Sequence, residues 1–460
     1  MKPAVRLFLI VLLAALTAAC AQVRRPDQNL AERLEYDQAA RLRYQLDAEW
    51  WKNYNDPQLN QLVDRALATN IDLAKAAVSV NRALYQAKLI AADLVPSFSG
   101  DIDATARKNI KEGGPSTRSV SGSITLSYEV DLWRKVADAA SAQEWEYRAT
   151  IEDLENTRLV LINSVVDAYY NLAYLQDALA SARANVRNFR AIENTVAAKH
   201  QAGKVAAVEL AQARQSVLSG ENTLVDLESQ HKTAEQTLRD LLNLKPGDDL
   251  GLTGLTLADL KLPPLDLDIP LAVLANRPDL KAAEFRLEKA LKNVSEAEKG
   301  WLPSINISSA LSSSGDKFNN AFNTAVGSVG LSVSLPFLDW SNVLYNLRIS
   351  ETDFETVRLD FEQALTTALN EVDTYYFTFT KSLQTLSNTR KKFAYDARIS
   401  AYYRDRYQAG AGELSDWLSA VNTANSSRLT ALSDLYQAVK SENMVFKALA
   451  GRYVDTAGRK

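Results

Sequence analysis

Two stretches of this chain, Arg134–Ala202 and Asn342–Ala409, contain neither proline nor glycine. At about 1.5 Å per residue, each can form a helix roughly 100 Å long. Each ends at the same sort of tip: His200-Gln201-Ala202-Gly203 in the first, Tyr407-Gln408-Ala409-Gly410 in the second. Another long helical run follows each tip. A compact domain has no use for such rods, so the chain is expected to span something. Apolar residues of the first rod (Leu159, Leu161, Ile162, Val165, Val166, Tyr169, Tyr170) are spread widely, which suits packing against neighbours on two sides. Ala137, Ala139, Ala140 and Ala142 allow close approach.

Ahead of the first rod the apolar period is first helical and then two. Asp56-Pro57 is a good helix start, and Leu59, Leu62, Val63, Ala66 and Leu67 follow at helical spacing, so a helix is predicted to run to about Leu94. Beyond Pro96, Phe98, Gly100, Ile102, Ala104 and Ala106 alternate with Ser99, Asp101, Asp103, Thr105 and Arg107. After a polar loop, Val120 to Leu132 alternate with Ser119 to Asp131. This is a β-hairpin over 97–132 with one apolar and one polar face. A second hairpin is expected over 304–337, with Ile305, Ile307 and Leu311 in one strand and Val329, Leu331 and Val333 in the other.

The two halves repeat one another. Asp72 and Leu73 match Asp279 and Leu280; Val95-Pro96-Ser97 matches Leu302-Pro303-Ser304; Gln201-Ala202-Gly203 matches Gln408-Ala409-Gly410; the offset is 207 each time. The expected organisation is a signal peptide at 1–19, an N-terminal arm at 20–56, a first repeat at 57–244, a connector at 245–270, a second repeat at 271–451 and a tail at 452–460.

The N-terminus reads as a secretory signal: Lys2 and Arg6, then an apolar core from Leu7 to Leu16. Leu16-Thr17-Ala18-Ala19-Cys20 resembles the bacterial lipobox, which implies that Cys20 is lipidated. It is the only cysteine, so no intrachain disulfide is possible. A net charge of −4 gives no reason to expect nucleic acid. The two histidines, His200 and His231, are far apart and do not make a nucleophile system. Phosphate-loop and zinc spacings are absent, and Met1 and Met444 are the only methionines. No enzyme activity, cofactor or metal site is expected.

Strands of roughly ten residues match the span of a transmembrane β-strand, and apolar-out, polar-in alternation is the outer-membrane barrel pattern. The alternative is a half-buried sheet covered by a helix. In lipid no open sheet edge survives, and four strands cannot close around a channel. Several chains would have to contribute; three would give twelve strands.

At this point the sequence resembles the TolC/OprM family of outer-membrane efflux proteins. The likeness is carried by Trp50-Trp51…Asp56-Pro57…Leu59, Tyr128-Glu129-Val130-Asp131-Leu132-Trp133, Arg277-Pro278-Asp279-Leu280 with Ala282-Ala283-Glu284, Leu302-Pro303-Ser304 and the two glycine tips. It implies an α+β membrane protein: a homotrimer with a 12-stranded β-barrel, continued by a long α-helical barrel, with an equatorial region built from 21–56, the connector and the C-terminus. It further implies a periplasmic adaptor, an inner-membrane RND-type pump and outer-membrane lipid as partners. The family usually has glycine after the first hairpin exit, where Arg134 follows Trp133 here. At the second exit it has an Asp-x-Gly type turn, where Asp339-Trp340-Ser341-Asn342 stands here.

The resemblance places Gly203, Lys204, Val205, Gly410, Ala411 and Gly412 at the adaptor contact. It also places Asp416 where a constriction-ring aspartate lies, and Tyr407 and Glu209 where residues latching the closed state lie. Ser419 stands for a second ring aspartate and Gly412 for a latching arginine. Three copies of an inward Asp416 would favour cations. The function expected is a passive exit duct for small toxic compounds. The alternatives are a polypeptide-exporting channel and a lipid-anchored periplasmic coiled-coil scaffold without a pore.

Overall fold

The computed structural model describes residues 44–108, 110, 116–257, 260, 262, 271–318, 320–321 and 323–455. The signal segment, Cys20, the arm as far as residue 43, most of 258–270 and the last five residues lie outside the described residues.

Asp56 starts the first helix, α1 (Pro57–Thr69): its carboxylate accepts from the backbone N–H groups of Gln58 and Leu59, and Pro57 occupies the first turn. The single helix expected as far as Leu94 is two. Asn70 adopts φ −68°, ψ 127°, and its side chain accepts from Asp72 N and Leu73 N, starting α2 (Ile71–Ala91) afresh. A 3₁₀ turn, Ala92–Leu94, follows, and Val95 is extended before Pro96, as a residue preceding proline must be.

Four strands then alternate with the rods: β2 (Ser97–Arg107), β3 (Thr117–Val130), β4 (Ser304–Gly315) and β5 (Ala325–Ser334) form one antiparallel sheet in that order. The register pairs Asp101 with Ser123 and Ser123 with Ser312, and on the other face Ile124 with Leu311 and Ile307 with Leu331. Polar residues therefore line one face and apolar residues the other. Both strand exits come sooner than the alternation suggests. β3 stops at Val130, so Leu132 belongs to the corner. Pro336, which cannot donate to a ladder, opens a 3₁₀ turn, Pro336–Asp339, after β5.

The first corner explains the residue that replaces glycine. Arg134 adopts φ 61°, ψ 31°, the left-handed conformation that glycine takes without steric cost. Asp131 reaches past it to accept from Val136 N at 3.1 Å and Ala137 N at 2.8 Å, capping the first rod. Trp133 Nε1 donates to Pro303 O at 2.8 Å and ties this corner to the second hairpin.

The rods are α3 (Lys135–Gln201) and α6 (Trp340–Gln408), of 67 and 69 residues. Two 35-residue helices return from the tips, α4 (Ala207–Leu241) and α7 (Leu414–Ala448). Below the middle of the rods the helices lie side by side as α4, α3, α7, α6; above it, α5 (Pro278–Lys299) packs between α3 and α6, and α2 against α3. Arg277, buried at the start of α5, donates to Asp279, to Glu371 of α6 at 2.9 Å and to the carbonyl of Ala448 at 3.1 Å. The motif that carries Arg277 thus pins three helices together.

The core is a belt around the middle of the rods. Trp50, Trp51, Tyr54, Leu59 and Val63 pack there against Val165, Tyr169 and Tyr170 of α3, Leu238 of α4 and Phe446 of α7. Several polar groups inside the belt pair with one another. Asn163 and Asn443 exchange amide-to-carbonyl hydrogen bonds at 2.9 Å, and Trp50 Nε1 donates to Asn443 Oδ1 at 3.2 Å. The residues at 452–455, expected to be a tail, form β6 (Arg452–Asp455), which pairs antiparallel with β1 (Tyr44–Asp47) and joins the first and last described residues.

Candidate gate at the helical tips

Both tips are built alike. After α3, Gly203 takes φ +67°; its N–H donates to His200 O at 2.9 Å, and Lys204 N donates to Lys199 O at 2.9 Å. After α6, Gly410 takes φ +74°, with Gly410 N on Tyr407 O at 3.1 Å and Ala411 N on Arg406 O at 3.0 Å. This is the left-handed helix ending that favours glycine. A Cβ at either glycine would meet nothing within 4 Å, so the backbone torsion, not crowding, requires glycine. Each turn is closed by a side chain from its own helix. His200 Nδ1 lies 3.0 Å from Val205 O, and Arg406 Nη2 donates to Ala411 O at 2.6 Å.

Lys204 and Ala411 stand exposed beside the two glycines. Val205 is half-buried against the core of the tip. Gly412 is half-buried, and a Cβ there would lie 3.1 Å from Arg406 Cβ. A larger side chain at this position would press on the residue that closes the turn.

Glu209 lies near enough to Tyr407 for its charge to act on the phenol. Tyr407 is 4% exposed, in a cluster with Phe189, Val196, Val217, Leu414 and Leu418. Glu209 is half-buried in the first turn of α4. Burial, and next the charge of Glu209, push the Tyr407 phenol up. The hydroxyl is nevertheless buried without a hydrogen-bond partner among the described residues, so no hydrogen bond joins it to Glu209. Asp416 lies in the first turn of α7, exposed, two residues beyond the start of the helix. It makes no ion pair among the described residues, and its carboxylate is free to face solvent.

Two residues of this site were not singled out from the sequence. Trp417 packs its ring 5.3 Å from that of Tyr407, and Lys199 holds its ammonium 3.9 Å from the centre of the Tyr407 ring. Trp417 could have been found as the aromatic next to Asp416. Nothing in local spacing links Lys199 to a tyrosine on the other hairpin.

The sequence matches the family described as "Outer membrane efflux protein" over residues 62–244 and again over 269–451. The chain belongs to that family. Outer membrane efflux proteins are passive outer-membrane channels with a large periplasmic extension, not enzymes, and this chain is one of them. It is 45% identical over 450 residues to Toxin and drug export protein A of Aggregatibacter actinomycetemcomitans, covering 97% of this chain and 98% of that protein. It is 26% identical to Probable outer membrane lipoprotein SilC of Salmonella typhimurium, covering 89% of each. The solved structure of the Campylobacter jejuni CmeC outer membrane channel shares the fold, with a TM-score of 0.80 at 23% identity, over 89% of each chain.

Proposed function

We propose that three copies of this outer membrane efflux protein close a twelve-stranded barrel in the membrane and a helical barrel below it. Together they form the passive exit duct of a tripartite efflux pump. The observation that carries this reading is the pair of open sheet edges. β2 and β5 each pair on one side only, and the apolar face between them is exposed, with Phe98 at 73% and Val329 at 83%. In lipid, unpaired edge groups cost several kcal/mol each, so β2 of one copy joins β5 of the next. The outer helices of the lower half supply matching seams. Val208, Leu218 and Val225 are exposed along α4, and Tyr395, Ile399 and Tyr402 along α6. The serine- and aspartate-bearing face of the sheet then lines a wet lumen.

Two repeats, 57–244 and 271–451, form the unit of this assembly. In support, the family match starts at 62 and 269 and ends at 244 and 451, both 207 residues apart. The starts of α2 and α5, of β2 and β4 and of α4 and α7, and the ends of α3 and α6, keep the same spacing. The connector at 245–270 and the arm at 20–56 complete the equatorial region, and Cys20 anchors the arm in the outer membrane.

The working end is the tip. Gly203, Lys204, Gly410, Ala411 and Gly412, with Val205 holding the first turn in place, meet a periplasmic adaptor that delivers cargo from an RND-type inner-membrane pump. Tyr407 and Glu209 hold the closed state, and Asp416 contributes an acidic ring at the constriction. The cargo is small toxic compounds. The 45%-identical relative is named for toxin as well as drug export, and a toxin that is a polypeptide would be a second cargo for the same duct. The test is reconstitution of the full-length protein in planar bilayers, with its mass measured by native mass spectrometry. Trimeric mass and stepwise conductance are expected; a monomer without conductance overturns the reading in favour of a periplasmic scaffold.

A further inference from the structure

Lys199 lies in the last turn of α3, half-buried, and its partner is not a carboxylate. Its Nζ sits 3.9 Å from the Tyr407 ring centre, well inside the range over which a cation is held by an aromatic face. The two residues belong to different hairpins, so the contact joins the end of the first rod to the end of the second. Tyr407 is held from its other neighbours by Trp417 and by apolar side chains of α3, α4 and α7, while its hydroxyl makes no hydrogen bond among the described residues. What keeps this side chain in place is therefore its ring.

The second tip cannot supply such a tie itself. Arg406, the cation next to Tyr407, is committed to the Ala411 carbonyl, and Gly412 has no room for a long side chain without displacing Arg406. The ammonium comes instead from across the gap. We propose that Lys199 is a positioning residue of the gate: by seating its ammonium on the Tyr407 ring it holds the second tip shut against the first. Opening separates the two hairpins and breaks this contact in each copy. The proposal rests on the channel reading above.

The test compares single-channel recordings of the full-length wild type with Lys199→Met, Lys199→Arg, Tyr407→Phe and Tyr407→Leu. Methionine keeps an apolar stem without the charge; arginine keeps the charge. Lys199→Met is expected to raise the open probability about fivefold. Lys199→Arg is expected to restore wild-type gating, which a role in packing alone would not do. Tyr407→Phe keeps the ring and should open less readily than Tyr407→Leu, Tyr407→Leu should open as readily as Lys199→Met, and the double variant should open no further than either. Should Lys199→Met not assemble, Lys199→Gln carries the same readout. Normal gating of the uncharged variant, or leakiness of Lys199→Arg equal to that of Lys199→Met, overturns the proposal while leaving the channel in place. No current from wild type or any variant removes the channel reading, and the gate with it.

Discussion

The Tyr54 hydroxyl donates to Glu442 Oε2 at 2.7 Å, deep in the belt where the N-terminal segment meets the last helix. Glu442 is 0% exposed, and its second carboxylate oxygen has no hydrogen-bond partner among the described residues. Burial pushes this carboxyl up from 4.5 to about 8, against the opposing effects of the Tyr54 hydrogen bond and the nearby Arg452 charge. The folded protein thus keeps a proton on Glu442 at neutral pH that the unfolded chain would release.

The sign of the pH effect follows. A group whose pKa is raised by folding favours the native state fully below its unfolded value, and that advantage is lost as pH rises through the folded value. Stability should therefore fall between about pH 4.5 and pH 8, the two values that bracket the group. Glu442→Gln, which can still accept from Tyr54, should flatten this slope and make the protein more stable by a few kcal/mol at pH 9, on the order of several pKa units of linkage. Thermal unfolding in detergent, followed by helical circular dichroism from pH 5 to 9, measures it. A slope unchanged in the variant would exonerate Glu442.

Arg134 carries torsional strain at the strand-to-helix corner, where φ is 61°. For a residue with a Cβ that conformation costs about 1–2 kcal/mol. Arg134→Gly should leave the protein as stable or raise its stability by up to about 1 kcal/mol, since glycine loses more freedom on folding. Arg134→Val should lower it by about 1 kcal/mol, because a β-branched side chain is worse there. Paired melting curves decide between them, and a glycine variant clearly weaker than wild type would mean that the arginine side chain, not its backbone, matters.

Asp416 stands exposed at the start of α7, where three copies would place three carboxylates around one axis. Asp416→Ala should weaken block by trivalent cations in planar bilayers about tenfold or more, as loss of a charged ring does. Asp416→Asn, equal in size, should behave like the alanine variant, and block as strong as in wild type would take Asp416 off the constriction.

The large features were open to reading because they are periodic. Proline- and glycine-free stretches made the rods visible, alternation made the hairpins visible, and Gly203 and Gly410 marked turns that need positive φ. The missed break at Asn70 is a matter of side-chain capping, which competes with helix continuation without disturbing the apolar pattern on either side. Strand ends at Val130 and Ser334 were overshot because Leu132, Leu335 and Phe337 continue the alternation into turns. At the tip, Tyr407 and Glu209 were singled out from the sequence, whereas Trp417 and Lys199 were not. Contacts between hairpins arise from how whole helices lie together, and no local spacing records that.

The belt formed by Trp50, Trp51 and Tyr54 also has a mechanical meaning. It grips the first long rod near its middle, around Val165 to Leu175 of α3, while the other end of that rod is tied to the sheet. From Leu175 to the tip at Gly203 runs about 40 Å of helix. A rod clamped at its waist is a lever: a tilt of about 5° at the belt swings the tip by about 3.5 Å. Side chains about 40 Å from the tip thereby set the stiffness against which any movement of the tip must work.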